Sequence, residues 1–324
     1  MRAVAWIVFI VLQIIWLPVS LFGAALVGYR QVQVSRRLGI SQTAIEVING
    51  RATMEAFGVG AHPASAQLAR VLPNTSTRGL YLALLPLRVA RFVAGQPIMY
   101  PLTDPGERVA ATNLVPWRTA VFDRLLDQHL DATQCVVLGA GLDTRAYDRF
   151  ARASVAVWEV DTAPNSAFKK AQVDRAGLDR EHVRYVETDF ADDSWPESLR
   201  LAGFDATKKT VWILEGVTLY LSRDEVVDTL RLAGSLSGPG SVLLMDLYST
   251  QFVAMGQRPW AARILALTGE QIQYGVDFQT DPEAPVRELL GDAGLSVGQV
   301  DVLVPDRDGG ALFAVVECVT GTAP

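Results

Sequence analysis

Residue types that carry chemistry are scarce in this chain. Its 324 residues hold two cysteines and three histidines. Cys135 and Cys318 both stand in apolar, strand-like surroundings, which excludes a disulfide framework or a cysteine-spaced zinc site; two buried thiols acting as small hydrophobes are expected. His62, His129 and His182 are scattered singly, so no metal centre is expected. Positive charge is not in excess either. The formal net charge is -6, and a protein that grips a phosphate backbone normally shows a cationic footprint, so nucleic acid is not an expected partner. Over residues 3–28 charge is missing altogether, and the polar side chains there are only Gln13 and Ser20.

That uncharged run is the first feature that is present rather than absent. A bilayer core takes about 20 apolar residues as a helix, so residues 3–28 are long enough to span one, with Pro18 producing at most a kink. A signal peptide is the rival reading, because Gly23-Ala24-Ala25 offers small residues for cleavage. Its apolar region would exceed the usual ~7–15 residues, and its positive end would be only Arg2 and the amino terminus. The expectation is an uncleaved transmembrane anchor over residues 1–30. Arg30, Arg36 and Arg37 come directly after it, so positive-inside bias puts the remaining chain in the cytoplasm.

Residues 31–115 read as a helical cap without a clear strand. Ser41 opens a capped helix there, and residues 79–94 form a second, for which core or lid packing is preferred over a place in the membrane interface. A loop rich in proline and glycine, residues 96–106, separates the cap from the remainder of the chain. From 116 to 324 strands alternate with helices: strands are expected at 135–138, 154–160, 183–187, 210–214 and 241–247, then a terminal antiparallel-looking pair at 297–304 and 311–319. That pattern is a doubly wound α/β sheet, with residues 248–286 inserted as a lid.

The chain is organised around residues 135–147, CVVLGAGLDTRAY. A strand runs into Gly139-Ala140-Gly141, and Asp143-Thr144 reads as the start of a helix at once. Such a turn lets a ligand approach bare backbone at the carboxyl edge of a parallel sheet. The dinucleotide fingerprint wants a third glycine where this chain has Thr144, which counts against NAD. Asp161 closes the next strand at about the ~20-residue separation from the turn at which an acid holds ribose hydroxyls, with Glu159 on the same strand face as the alternative.

The string GAGLDTRAY resembles the first motif of S-adenosylmethionine (SAM) dependent methyltransferases of the leucine carboxyl methyltransferase type, including a bacterial branch. Three further stretches support the resemblance: Arg118-Thr119 in the helix before the turn, the WEVDTAP string around Asp161, and Glu215-Gly216 with Tyr220 after the fourth strand. It implies a seven-stranded, Rossmann-like class I methyltransferase sheet with SAM as cofactor. By resemblance Arg118 pairs with the carboxylate of the methionine half, a geometry suited to a guanidinium. Asp189 and Phe190, after the third strand, would lie beside the adenine, the carboxylate accepting from the exocyclic amine and the next N–H reaching a ring nitrogen. Glu215 would accept from the ammonium group of SAM; a buried carboxylate there is costly without such a cation.

The sulfonium is a good methyl donor, so the enzyme has mainly to align the acceptor and exclude water. O-methyl transfer to a small, amphiphilic or lipid-like acceptor is expected. A carboxyl group, which the resemblance favours, needs no general base; a hydroxyl needs one, and no histidine is placed to serve. Two other classes stay open: an NAD(P)-binding oxidoreductase on the same strand–turn–acid plan, and a membrane-tethered SAM-binding protein without catalysis.

Overall fold

The computed structural model describes residues 1–99, 113–153, 155–188, 194–278, 281–303 and 311–320. Helix α1 (Arg2–Tyr29) passes through one π-helical turn, Arg30–Val34, into α2 (Ser35–Leu38), and Gly39 at φ +64° ends it. The apolar helix therefore continues without a break past residue 30. Among the described residues it is the one helix long and apolar enough to cross a membrane. Helices α3 (Gln42–Phe57), α4 (Pro63–Val71) and α5 (Thr77–Ala94) make up the cap. Ser41 and Ser76 cap α3 and α5 by accepting from the N–H of Ala44 and of Gly79, and Pro63 opens α4, where its missing donor costs nothing.

Helices α1 and α5 pack as an antiparallel pair through small residues. Gly23 lies against Gly79 near one end, while Ala5 and Phe9 meet Ala90 and Val93 near the other. A Cβ on Gly23 would stand 2.6 Å from the Gly79 carbonyl oxygen, and one on Gly79 would stand 2.8 Å from that of Gly23. Small residues at the crossing let the two backbones approach this closely. Pro86 interrupts α5 and cannot donate to the carbonyl of Leu82, four residues back. The indole Nε1 of Trp16 donates to that same oxygen at 3.0 Å. Gly79→Val is accordingly expected to force the pair apart at a cost of about 1–3 kcal/mol, read as a fall of several degrees in melting temperature in detergent micelles. An unchanged melting curve would mean that the two helices do not pack this way. Both ends of α5 are held to the rest of the chain. Arg30 Nη1 donates to the Thr75 carbonyl at 3.1 Å, and Arg91 Nη1 donates to that of Ala56 at 2.9 Å.

Helix α6 (Leu114–Asp127) leads into a seven-stranded sheet: β1 (Gln134–Leu138), β2 (Ala156–Asp161), β3 (Val183–Glu187), β4 (Thr210–Leu214), β5 (Val242–Tyr248), β6 (Ser296–Leu303) and β7 (Phe313–Val319). The order is β3-β2-β1-β4-β5-β7-β6; the first five strands are parallel, and β7 runs antiparallel between β5 and β6. Helices α7 (Arg149–Ala153), α8 (Ala163–Ala176), α9 (Trp195–Leu201) and α10 (Arg223–Ser235) connect the parallel strands. Past β5 come α11 (Thr250–Gly256) and α12 (Pro259–Ala266) in the insertion, then α13 (Ala284–Asp292). Alternation along the strands splits the core into two layers: Cys135 and Val137 of β1 pack with α6 residues on one face, and Val136 and Leu138 pack with Trp158 and Trp212 on the other. Both cysteines are buried and unpaired.

One local expectation fails. No regular helix starts at Asp143; the chain instead makes a 3₁₀ turn at Arg145–Tyr147 before the short α7. The Asp143 side chain accepts from the backbone N–H of Arg145 at 2.8 Å, which caps a turn, and its other oxygen is drawn into ion pairs.

Candidate active site

The sheet reverses its winding between β1 and β4, with β2 and β3 on one side and β5 on the other. Open α/β sheets bind ligands at the carboxyl ends of strands beside such a switch point. Gly139 directly follows β1, Asp161 is the last residue of β2, and Glu215 directly follows β4, so chain topology alone gathers three of the expected residues at that edge. A cavity of about 590 Å³ opens there, within the range of small-molecule sites. Its wall includes Arg118, Gly139, Gly141, Asp161 and Glu215, brought together from four separate segments. Asp189 and Phe190 lie outside the described residues.

The glycine turn has a physical reason for each glycine. Gly139 and Gly141 sit at φ +64° and +42°, the left-handed region that side chains resist, and a Cβ on Gly139 would meet Val217 Cγ2 at 2.5 Å. The backbone N–H groups of Gly139 and Ala140 both donate to Val160 O, at 2.8 and 3.1 Å, which ties the turn to β2. Asp161 completes the tie. Its Oδ2 accepts from Gly141 N at 2.6 Å, and its Oδ1 accepts from Thr162 N and from Asn165 Nδ2. Glu159, the alternative acid, is buried beneath the turn, paired with Lys169 at 2.8 Å and accepting from the Tyr147 hydroxyl at 3.1 Å. Of the two, Asp161 lines the cavity.

Glu215 is surrounded by cations of the chain itself. Arg51 Nη2 donates to both its oxygens at 3.1 and 2.9 Å, Arg145 Nη1 donates at 2.5 Å, and Arg118 Nε stands 3.1 Å away. The expectation that a carboxylate buried here requires a ligand's cation is thereby corrected: three guanidinium groups neutralise it. Burial works to raise its pKa, but Arg145, Arg51 and Arg118 together hold it down at about 2. Arg51 also pairs with Asp143 at 3.2 Å, and Arg145 with Asp143 at 2.5 Å and Asp123 at 2.9 Å. Arg118 Nη1 donates to Asp246 at 3.0 Å and to the Tyr248 hydroxyl at 2.7 Å, and both oxygens of Asp246 accept from Gly216 N. Burial pushes the Asp246 carboxyl up to about 6, against the pull of Arg118.

The network is not fully satisfied. Arg51 and Arg118, the two arginines on the cavity wall, each keep a buried Nε–H without a hydrogen-bond acceptor. For Arg118 the Glu215 oxygen is near enough for attraction yet poorly directed for a bond. Unspent guanidinium donors, a bare glycine backbone and an acid at the end of β2 are a donor set suited to a ligand with a carboxylate at one end and a ribose at the other.

Arg51, Asp143, Arg145 and Asp246 are the residues that sequence reasoning missed. Two carried a visible signal. Arg145 stands inside GAGLDTRAY, and Asp246 is the one charged side chain in the strand VLLMDLY. Tyr220 reaches the cavity as well; its hydroxyl pairs with Thr43 at 2.8 Å and donates to Glu270 at 3.2 Å, joining α3 to the insertion.

The model of the leucine carboxyl methyltransferase family matches residues 91–233, which include the glycine turn, Arg118, Asp161 and Glu215. A protein of Mycolicibacterium smegmatis, provisionally named an S-adenosyl-L-methionine-dependent methyltransferase, is 37% identical over 215 residues, 63% of this chain and 67% of the relative. One from Mycolicibacterium gilvum with the same name is 32% identical over 211 residues, 61% of this chain and 66% of that one. The matches span about half to two thirds of the length of these curated relatives. Among solved structures, magnesium protoporphyrin IX methyltransferase from Synechocystis PCC 6803 is similar at a TM-score of 0.43 and 13% identity, over 66% of this chain and 90% of that one. With a cavity at the switch point, a glycine turn tied to Asp161 and relatives at this level of identity, the chain belongs to the leucine carboxyl methyltransferase family of SAM-dependent methyltransferases.

Proposed function

We propose that the protein is a SAM-dependent O-methyltransferase acting on a small or amphiphilic acceptor. The observation that carries this reading is the convergence of Arg118, Gly139, Gly141, Asp161 and Glu215 on one cavity. In it the glycine backbone lies under the nucleoside, Asp161 takes the ribose hydroxyls, and Arg118 takes the methionine carboxylate with its unspent Nε–H. Glu215 faces the ammonium group as part of the arginine cluster. Asp189 and Phe190 are assigned to the adenine by family resemblance alone. When bound, the cofactor supplies an activated methyl group; the protein's part is to hold the acceptor in line and keep water out.

Beyond the cofactor's share, much of the cavity wall is apolar, with Val47 from α3, Leu114 and Val115 from α6, Phe252 from α11 and Leu265 from α12 beside the polar Ser41, Thr43, Glu46 and Tyr220. The cap and the insertion thus form the acceptor compartment, which suits a molecule with an apolar body. In this reading α1 anchors the protein in the membrane as a single span, with the catalytic domain on the cytoplasmic side. Much of its surface, including Ile7, Ile10, Ile14, Ile15 and Phe22, is apolar and exposed. Acceptors drawn from or dissolved in the membrane are the natural consequence of that placement.

Calorimetric titration of the full chain in micelles tests the cofactor. SAM should release heat on binding and NAD should not. Asp161→Ala should weaken SAM by about 10- to 100-fold, the worth of a charge-assisted hydrogen-bond pair, and a melting curve without ligand checks that the variant is folded. Equal affinity of wild type and variant would remove Asp161 from the site, and heat with NAD but not SAM would return the protein to the oxidoreductases.

A further inference from the structure

Four acidic side chains line the cavity, and three of them are occupied. Asp143 is held by Arg51 and Arg145, Asp161 by the glycine turn and Asn165, and Glu215 by three arginines. Glu270, beside the cavity, accepts from the hydroxyls of Ser41, Thr43, Tyr220 and Thr268. Glu46 is different. It sits on α3 within the acceptor compartment, and among the described residues no hydrogen bond or ion pair engages its carboxylate. Its side chain is exposed and opens onto the cavity.

From this placement, and resting on the methyltransferase reading above, we infer that Glu46 is the general base for a hydroxyl acceptor. The step balances without a further reagent. The acceptor's O–H bond breaks and its proton passes to the Glu46 carboxylate; the oxygen's electron pair forms the O–CH₃ bond as the S–CH₃ bond breaks, leaving a neutral thioether. Two properties of the site fit this role. Burial raises the Glu46 pKa, with Arg118 pulling it down and Glu270 pushing it up, which brings the base nearer the pH at which it works. The other ionisable groups lining the cavity are Arg51, Asp143, Asp161, Glu215, Tyr220 and Tyr248. The second property concerns the rival acceptor. A carboxylate would place a second negative charge beside an ionised Glu46, where among the described residues the wall arginines already face Asp143, Glu215 and Asp246. An aliphatic or aromatic hydroxyl on an apolar body is the chemistry this compartment recognises.

A matched pair of probes tests the inference by binding alone. With S-adenosylhomocysteine present at pH 8, the full chain in micelles should bind 4-butylphenol and reject 4-butylbenzoate in calorimetric titration. Glu46→Gln should narrow that preference by at least tenfold while its affinity for SAM stays unchanged. With labelled SAM and an organic extract of the producing cells, label transferred by the wild type should survive alkali as a methyl ether. Glu46→Gln should slow this transfer by about 100-fold or more, and the rise of rate with pH through the Glu46 ionisation should vanish. Preference for the benzoate, label released by alkali as methanol from an ester, or a Glu46→Gln variant with unaltered probe preference would overturn the base. A variant that loses SAM binding would do the same, by moving Glu46 into the cofactor's share. Absence of SAM binding in the wild type is a separate result that sinks the methyltransferase reading itself.

Discussion

Glu215→Ala should cost the folded protein about 3 kcal/mol and abolish SAM binding. Removing one partner from a buried ionic cluster typically costs about 3–5 kcal/mol, because the charges left behind are neither solvated nor neutralised. Here the loss falls at the lower end. Each guanidinium keeps another carboxylate: Arg51 has Asp143, Arg118 has Asp246, and Arg145 has Asp123 and Asp143. The cavity wall then carries excess positive charge where the proposed function places the methionine ammonium. Glu215→Gln keeps the volume and one acceptor oxygen and should lie between the two. The pH dependence has a definite sign. Glu215 is held at about 2 in the folded chain against an ordinary 4.5, so its contribution is complete above pH 4.5 and fades as the pH falls towards 2. Asp246 works the other way: its folded value is raised to about 6, so the contribution it makes at low pH is lost as the pH climbs through 6. Denaturation of wild type and Glu215→Gln in micelles at pH 7 and pH 3 should therefore show a stability gap that narrows in acid. A gap that widens in acid would contradict the arginine assignment.

What could be read from the sequence here was local. The strand of apolar residues before Gly139, the acid about twenty residues later and the strand ending at Leu214 are contiguous patterns, and the structure has β1, β2 and β4 at those places. The antiparallel closing pair was legible too, but not that the last strand, β7, inserts between β5 and β6. The arginine cluster was not legible. Its members stand at positions 51, 118, 143, 145, 215 and 246, and only the sheet edge and the packing of α3 over it bring them within 4 Å of one another. The same distance in sequence hid the freedom of Glu46, since an unpaired carboxylate is recognised only after its neighbours are seen to be paired with others. The helix expected at Asp143 failed for a related reason: a side chain that reads as a helix cap was needed by two arginines.

Gly139→Ala is expected to lower SAM affinity at least tenfold and to destabilise the chain, and the two effects have separable origins. The first origin is backbone strain. At φ +64° a side chain costs roughly 1–2 kcal/mol whatever surrounds it. The second is contact. The new methyl group would stand 2.5 Å from Val217 Cγ2, and forcing extra volume into a packed site costs about 1–3 kcal/mol. Val217 follows Gly216, whose N–H is fixed by Asp246, and Gly216 follows Glu215, so relief of the clash pushes on the segment that holds the arginine cluster. Shortening the opposing side chain separates the origins. Val217→Ala added to Gly139→Ala should recover the contact part of the stability loss and leave the strain. Affinity for SAM should return only as far as Glu215 regains its place. The measurements are melting curves and SAM titrations of both single variants and the double variant. A double variant no more stable than Gly139→Ala alone would place the whole cost in the backbone, and a Gly139→Ala chain that binds SAM as wild type does would show that the ligand never approaches this turn.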